Sequence, residues 1–237
     1  MAPRERRLRR RRLTTIYVAT TLALILTVGA SFYVLSRGSQ EGAETKPIIL
    51  YVNQGNGAVN ASNFGALTSY ASSHGFNTVF FQVYRQGSLL FPPLQLAAFV
   101  NESHSSGLKV FFALYLTNSS QALPTSIYGA GEDGINLDMS TLPLSAQQNL
   151  LSSLRASYRG EVAVTTTDMY SQLTPNLLIL ETYGTGLQQY IRHGIVAGVG
   201  VFTTTSEQDY KSQFQYALQN SDGVMVFDYA GLLKRGY

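Results

Sequence analysis

Cysteine is absent from this 237-residue chain, and only 13% of its residues are charged. Without thiols there is no disulfide framework, no thiolate metal site and no cysteine nucleophile. The three histidines, His74, His104 and His193, show no metal-ligand spacing. No Ser/His/Asp arrangement and no phosphate-binding loop occur, and Gly55-Asn56-Gly57 lacks the third glycine of a dinucleotide fingerprint. No cofactor and no metal are therefore expected, and whatever chemistry the chain performs must come from a small set of carboxylates.

The charge is also unevenly placed. Seven arginines (Arg4, Arg6, Arg7, Arg9, Arg10, Arg11 and Arg12) lie within residues 1–12. With those seven of 17 basic residues and one of 14 acidic residues set aside, 10 basic side chains face 13 acidic ones. A basic chain invites a nucleic-acid reading, but here the positive charge abuts an uncharged apolar run from Thr14 to Leu35. That run matches the roughly 20 residues a membrane-spanning helix needs. Arginines just before it hold the N-terminus on the cytoplasmic side and direct the rest outward. A cleaved signal peptide competes, because Val28-Gly29-Ala30 resembles a small-residue cleavage site, but the apolar run continues through Phe32-Tyr33-Val34-Leu35. The expected organisation is a cytoplasmic arginine-rich tail (1–13), a transmembrane signal anchor (14–35), a small polar linker (36–46) and an extracellular domain (47–237). Three Asn-x-Ser sequons, at Asn60, Asn101 and Asn118, fit an exported domain. About 190 residues suffice to bury a core without disulfides.

From Pro47 onward short apolar, β-rich runs alternate with longer amphipathic stretches. Strands are expected at 48–53, 77–84, 108–116, 134–138, 161–168, 176–182, 195–202 and 223–229. Helical spacing occupies 62–74, 93–106, 143–158, 186–193 and 206–219. Gly75, Gly107, Gly160 and Gly194 stand where helices end, the expected place of left-handed caps. The 168–176 connection is too short for a full helix. Strands that are continuously apolar rather than alternating belong to a parallel sheet covered on both faces. Eight of them close a (β/α)8 TIM-type barrel of the α/β class; a doubly wound open sheet is the rival, since periodicity does not report closure.

Two of the runs, Asp133-Gly134-Ile135-Asn136-Leu137-Asp138 and Asp222-Gly223 through Asp228-Tyr229, begin on a turn-forming Asp-Gly and reach a carboxylate at or near their end. Residues at the C-terminal strand ends of a barrel share one mouth, and Asp138, Asp168, Glu181 and Asp228 all take such positions. Asp138 and Glu181 are expected to face each other as the acid/base pair of glycoside hydrolysis, which needs two carboxyls flanking one bond, with Glu181 as proton donor and Asp138 as nucleophile or base. Gln82, Tyr84, Arg85, Tyr115, Asp168, Tyr183 and Asp228 are the candidate substrate-binding residues, aromatic faces being suited to pyranose rings. A helix cap or a pairing with an arginine is the competing role for Asp168 and a hydrogen bond to a loop that for Asp228, and Asp133 and Asp222 read as turn residues at the opposite face.

Residues 75–92, from Gly75-Phe76-Asn77-Thr78-Val79 through Gln82-Val83-Tyr84-Arg85 to Phe91-Pro92, resemble the second-strand motif of the glycosyl hydrolase-like family 10 proteins. Ser106-Gly107-Leu108-Lys109-Val110, Asp133 through Asp138 and Gly223 through Phe227 resemble that family's third, fourth and closing strands in the same order. The fourth strand also resembles the Asp-rich motif of family 18 chitinases, but Asn136 replaces its middle acid and Ser140 its catalytic glutamate. Met139 likewise stands where family 10-like proteins often carry a second acid. The resemblance implies a (β/α)8 glycoside hydrolase-like protein acting on a polysaccharide or surface glycan. The alternative it leaves is a catalytically inactive glycan-binding or structural cell-envelope barrel. N-terminal sequencing of the mature protein is expected to return the arginine-rich tail; a start just after Ala30 would mean a cleaved signal peptide.

Overall fold

The computed structural model describes residues 45–54, 59–183, 187–202 and 204–236. The expected membrane anchor at 14–35 lies outside them. Among the described residues no helix is long and apolar enough to cross a membrane.

Eight parallel strands form a closed barrel: β1 (Ile48–Val52), β2 (Thr78–Arg85), β4 (Lys109–Tyr115), β5 (Gly134–Asp138), β6 (Glu161–Thr166), β7 (Leu177–Glu181), β8 (Val196–Gly200) and β9 (Gly223–Phe227). Closure comes from β1, which pairs in parallel with both β2 and β9, so the open-sheet rival is set aside. A two-residue strand, β3 (Ser88–Leu89), folds back antiparallel on β2. Five helices are described: α1 (Phe64–Ser73), α2 (Pro93–Ser105), α3 (Leu144–Ser157), α4 (Glu207–Asn220) and α5 (Tyr229–Arg235).

Apart from a bulge in β2, the strands alternate between two apolar surroundings. Inward residues Ile49, Tyr51, Phe80, Phe111, Ala113, Ala163, Ile179, Val196 and Met225 fill the barrel. Their neighbours Leu50, Val79, Phe81, Val110, Phe112, Leu137 and Val226 point outward against Leu67, Leu96, Phe99, Leu150 and Leu154 of the helices. Both faces being buried, the runs read as continuously hydrophobic, as parallel strands do.

The helical ring differs from expectation in three places. The stretch expected to be helical at 186–193 holds only a 3-10 turn at Leu187–Tyr190. Residues 229–235, beyond the last strand, form the unforeseen α5, capped by Asp228 and closed by Gly236 in the left-handed region (φ 69°). Gly75, Gly107 and Gly194 adopt positive φ as expected, but Gly160 does not. Here α3 ends on Tyr158 in extended geometry (φ −122°, ψ 133°). Gly160 serves space instead, since a Cβ there would lie 2.4 Å from the Tyr158 hydroxyl.

At the opposite end from the strand C-termini a four-fold device ties the barrel together. The residue before each of β2, β5, β7 and β9 is Asn77, Asp133, Asn176 or Asp222, and its side-chain oxygen accepts an amide from the start of the preceding barrel strand. The bonds are Ile48 N to Asn77 (2.9 Å), Val110 N to Asp133 (2.7 Å), Val162 N to Asn176 (2.9 Å) and Gly194 N to Asp222 (2.8 Å). The backbone amides of the first three return the bond to the carbonyls of Ile48, Val110 and Val162, and that of Asp222 to Ile195. These amides would otherwise lack a partner at the sheet's end. The glycine after Asp133 answers a steric demand: a Cβ on Gly134 would stand 2.2 Å from the Phe111 ring. Asp133 and Asp222 are thus turn residues at the face away from the mouth, each also bonded to a histidine (His104 at 2.8 Å, His193 at 2.9 Å).

Exposure should rank these clasps. Asp133→Ala, with a side chain 31% exposed, is expected to cost about 1–3 kcal/mol in urea denaturation. Asp222→Ala, at 54%, should cost clearly less because water can replace the carboxylate; equal losses would contradict this account.

Candidate active site

The C-terminal mouth is built from inward strand-end positions. Tyr115, Asp138 and Thr165 are ladder neighbours across β4, β5 and β6, while Glu181 stands beside Gly198 and Phe227 beside Tyr51. Register alone therefore brings one carboxylate from β5 and one from β7 to the same opening, two strands apart.

Asp138 is buried, with 4% of its surface exposed. The Tyr51 hydroxyl donates to its Oδ2 at 2.8 Å and the Ser140 hydroxyl to its Oδ1 at 2.9 Å. Burial pushes its carboxyl above the ordinary range, and these donors pull it back. Glu181 is half-buried and its carboxyl rises from 4.5 to about 7. Burial is the larger cause and the charge of Asp138 the second; the hydroxyls of Ser140 and Tyr183 act in the opposite direction. Tyr183 donates to Oε1 at 3.2 Å. The charge of Asp138 thus acts on Glu181 across the mouth, and the Ser140 hydroxyl, bonded to Asp138, also bears on Glu181.

Aromatic rings wall the mouth. Phe227 packs against Tyr51 (centroids 5.2 Å apart) and Tyr183 (5.7 Å), and Tyr183 meets Phe202 at 5.4 Å. Phe202 is 42% exposed, so its ring is open to a ligand. The place of Tyr183 depends on Gly198, where a Cβ would come within 3.3 Å of the Tyr183 ring and 3.1 Å of Glu181 Cα. Burial, joined by the nearby carboxylates, pushes the phenols of Tyr51 and Tyr183 well above their ordinary range, so both remain neutral donors.

Of the residues expected at the site, Asp138, Glu181 and Tyr183 come together. Gln82 is buried nearby and spends its side-chain oxygen on the amide of Gln54 (2.9 Å), holding the chain as it leaves β1. Arg85 lies over the Tyr115 ring at 5.8 Å. A bulge between Gln82 and Tyr84 turns Tyr84 into the outer cluster, where its hydroxyl donates to Ala122 O at 2.8 Å. The Asp168 carboxylate accepts the amide of Tyr170 within its own turn (3.1 Å). Asp228 caps α5 through Gly231 N at 2.9 Å, while its charge reaches Tyr183. Tyr229 belongs to α5 and meets Tyr70 edge-on, outside the barrel.

Tyr51, Ser140, Phe202 and Phe227 belong to the site but were not among the expected residues. Tyr51 and Phe227 carry a legible signal, because both occupy inward positions at strand ends under period-two counting. Ser140, in a turn beyond β5, carries no periodic signal, only its place in the motif where a chitinase's catalytic glutamate would stand. Among the described residues no three His, Cys, Asp or Glu side chains are grouped to hold a metal ion.

No protein-family profile matches this chain, and no curated protein matches it in sequence. Solved structures do. A thermostable, halotolerant GH5 cellulase from an Icelandic hot spring isolate superposes with a TM-score of 0.56 at 9% identity, over 80% of this chain and 76% of that one. The GH113 β-mannanase AaManA from Alicyclobacillus acidocaldarius gives 0.53 at 8% identity, over 77% and 86%. The protein CpGH84B gives 0.54 at 6% identity over 76% of this chain; the match spans only 44% of that protein. At such identities the likeness establishes the fold, a TIM barrel of the kind glycoside hydrolases use.

The raised carboxyl of Glu181 has a stability consequence. Its folded value near 7 exceeds its free value of 4.5, so its favourable contribution is complete below about pH 4.5, fades as pH rises and is gone above about pH 7. Glu181→Gln should therefore raise the urea midpoint relative to wild type at pH 8.5 and lose that advantage by pH 5. An advantage independent of pH would show that Glu181 is not held protonated.

Proposed function

We propose that this chain is a membrane-anchored, extracytoplasmic glycoside hydrolase that acts on a polysaccharide by carboxylate acid/base chemistry. The observation that supports the reading is a pair of carboxyls at one mouth with unequal surroundings. Asp138 accepts the hydroxyls of Tyr51 and Ser140, while burial and the charge of Asp138 push Glu181 up to about 7. A glycosidic oxygen needs a proton as its bond breaks, and the sugar's developing positive charge needs a nearby anion. Glu181 supplies the proton, and the Asp138 carboxylate acts on the anomeric side, directly as nucleophile or through a water. Phe202, Phe227 and Tyr183 offer apolar faces to a pyranose ring beside the pair. The likeness of the fold to a cellulase and a β-mannanase is consistent with a polysaccharide substrate. Export rests on the arginine-rich tail and the uncharged run behind it.

One observation favours a second reading, a barrel that binds glycans without cleaving them. Asp138 is only 4% exposed and both of its oxygens already accept hydrogen bonds, which restricts approach to a reacting carbon. The aromatic wall serves either reading.

Incubating the full chain with an oligosaccharide series separates them. Hydrolysis is expected, with a rate that falls above about pH 7 as Glu181 loses its proton. Glu181→Gln and Asp138→Asn should each lower kcat by roughly 10²–10⁴-fold. Glycan binding without turnover by the wild type would establish the second reading, and undiminished turnover in both variants would remove the first.

A further inference from the structure

We infer that Tyr51 and Ser140 are positioning residues that decide which of the two mouth carboxyls carries the proton the pair shares. This deepens the reading of Asp138 and Glu181 as the reacting pair and rests on it for its catalytic meaning, though not for its test.

Burial by itself predicts the reverse arrangement. Two carboxyls that feel each other's charge do not both ionise readily, and the more deeply buried one should hold the proton. Asp138 is the more deeply buried: it is 4% exposed, while Glu181 at the end of β7 is half-buried. A nearby cation could reverse the order, but none does so here. The groups acting on Asp138 are Tyr51 and Ser140, and those acting on Glu181 are Asp138, Ser140 and Tyr183. The remaining charge close by, Asp228 beyond β9, is also negative and reaches only as far as Tyr183 in this set.

The difference lies in the donors. Asp138 accepts the Tyr51 hydroxyl on Oδ2 at 2.8 Å and the Ser140 hydroxyl on Oδ1 at 2.9 Å, with the Ser140 backbone amide as a further donor. Glu181 has one donor of its own, the Tyr183 hydroxyl at a longer 3.2 Å. A serine hydroxyl has one hydrogen, so while Ser140 gives it to Asp138 it cannot give it to Glu181. The hydroxyl donors are therefore unequally shared out, Ser140 and Tyr51 both giving to Asp138 and Tyr183 alone giving to Glu181. Charge-assisted bonds to a buried anion are about twice as strong as neutral ones, which is how two hydroxyls on elements far apart in sequence outweigh the difference in burial. The consequence is a general acid that stays protonated next to an anion, an outcome that requires β1 and the turn after β5 to meet at one carboxylate.

The test follows the carboxyl carbons of the full chain, solubilised and labelled with 13C at Asp and Glu side chains, by NMR across pH 3–9 without any glycan. In the wild type Glu181 is expected to titrate near 7 and Asp138 below it. In Tyr51→Phe with Ser140→Ala the proton should pass to Asp138, and the Glu181 midpoint should fall by at least about one pH unit. Ser140→Ala alone should move it part of the way, and Ser140→Thr, which keeps the hydroxyl, should restore wild-type behaviour. That rescue separates positioning from a packing role, and the Ala/Thr pair carries the test if the double variant does not fold. A Glu181 midpoint unchanged to within about 0.3 unit in folded variants lacking the hydroxyls would overturn the inference. A proton swap in a protein that cleaves no glycan would leave this assignment standing and remove the glycosidase reading; turnover with an unmoved titration would do the opposite.

Discussion

The pairing of β1 with both β2 and β9 is the constraint on which the remainder of this structure depends. Without it the sheet would have two open edges, and Asp138 and Glu181 would lie on a twisted surface rather than around one opening. With it, every second residue of every strand faces the barrel axis, and strand ends that are far apart in sequence become neighbours. Closure also imposes a cost at the other end, where the first amides of the strands need partners. Asn77, Asp133, Asn176 and Asp222 meet that need with the same bond at alternate strands.

The mouth illustrates how a barrel can contain acids without neutralising them by cations. Charge is scarce in this chain, and Arg85 is turned over Tyr115. Hydroxyl donors serve instead, Tyr51 of β1 and Ser140 of the turn after β5 giving to Asp138 and Tyr183 after β7 giving to Glu181. In a buried setting such donors matter more than they would in water, because the competing solvent is gone. Burial raises both carboxyls, and the unequal supply of donors pulls their protonation states apart. The serine that replaces an expected acid at position 140 is part of that supply, so its loss of acidity does not make it idle.

Much of the fold was legible because parallel strands buried on both faces leave an unmistakable pattern. The eight apolar runs correspond to the eight barrel strands, with every end within two residues. Four of the five expected helices are present for the same reason, amphipathic spacing between the runs. The failures are equally physical. The stretch at 186–193 has helical spacing but only a 3-10 turn, and α5 was hidden because Tyr229 continued an apolar strand pattern past the Asp228 that caps the helix. Gly160 was misread because a glycine can be selected for space as well as for backbone conformation. At the site, the carboxyl pair was visible as acids ending apolar runs. The bulge that turns Tyr84 outward and the turn that brings Ser140 inward were not, since neither leaves a periodic trace.

Sequence by itself determined the number of barrel strands, their parallel class, the absence of thiol chemistry and the two acids that reach the mouth, because each follows from local pattern or composition. The opening Asp-Gly steps were also correctly placed at the far face, although the amides they bind could not be read from the chain. Tertiary structure alone decided that the barrel closes, that Tyr51 and Ser140 converge on one carboxylate, and that Glu181 is pushed to about 7 while Asp138 keeps two donors. Closure joins Ile48 to Val224 and the Tyr51 hydroxyl meets Asp138 87 positions away, and through-space electrostatics and hydrogen bonding have no counterpart in sequence order.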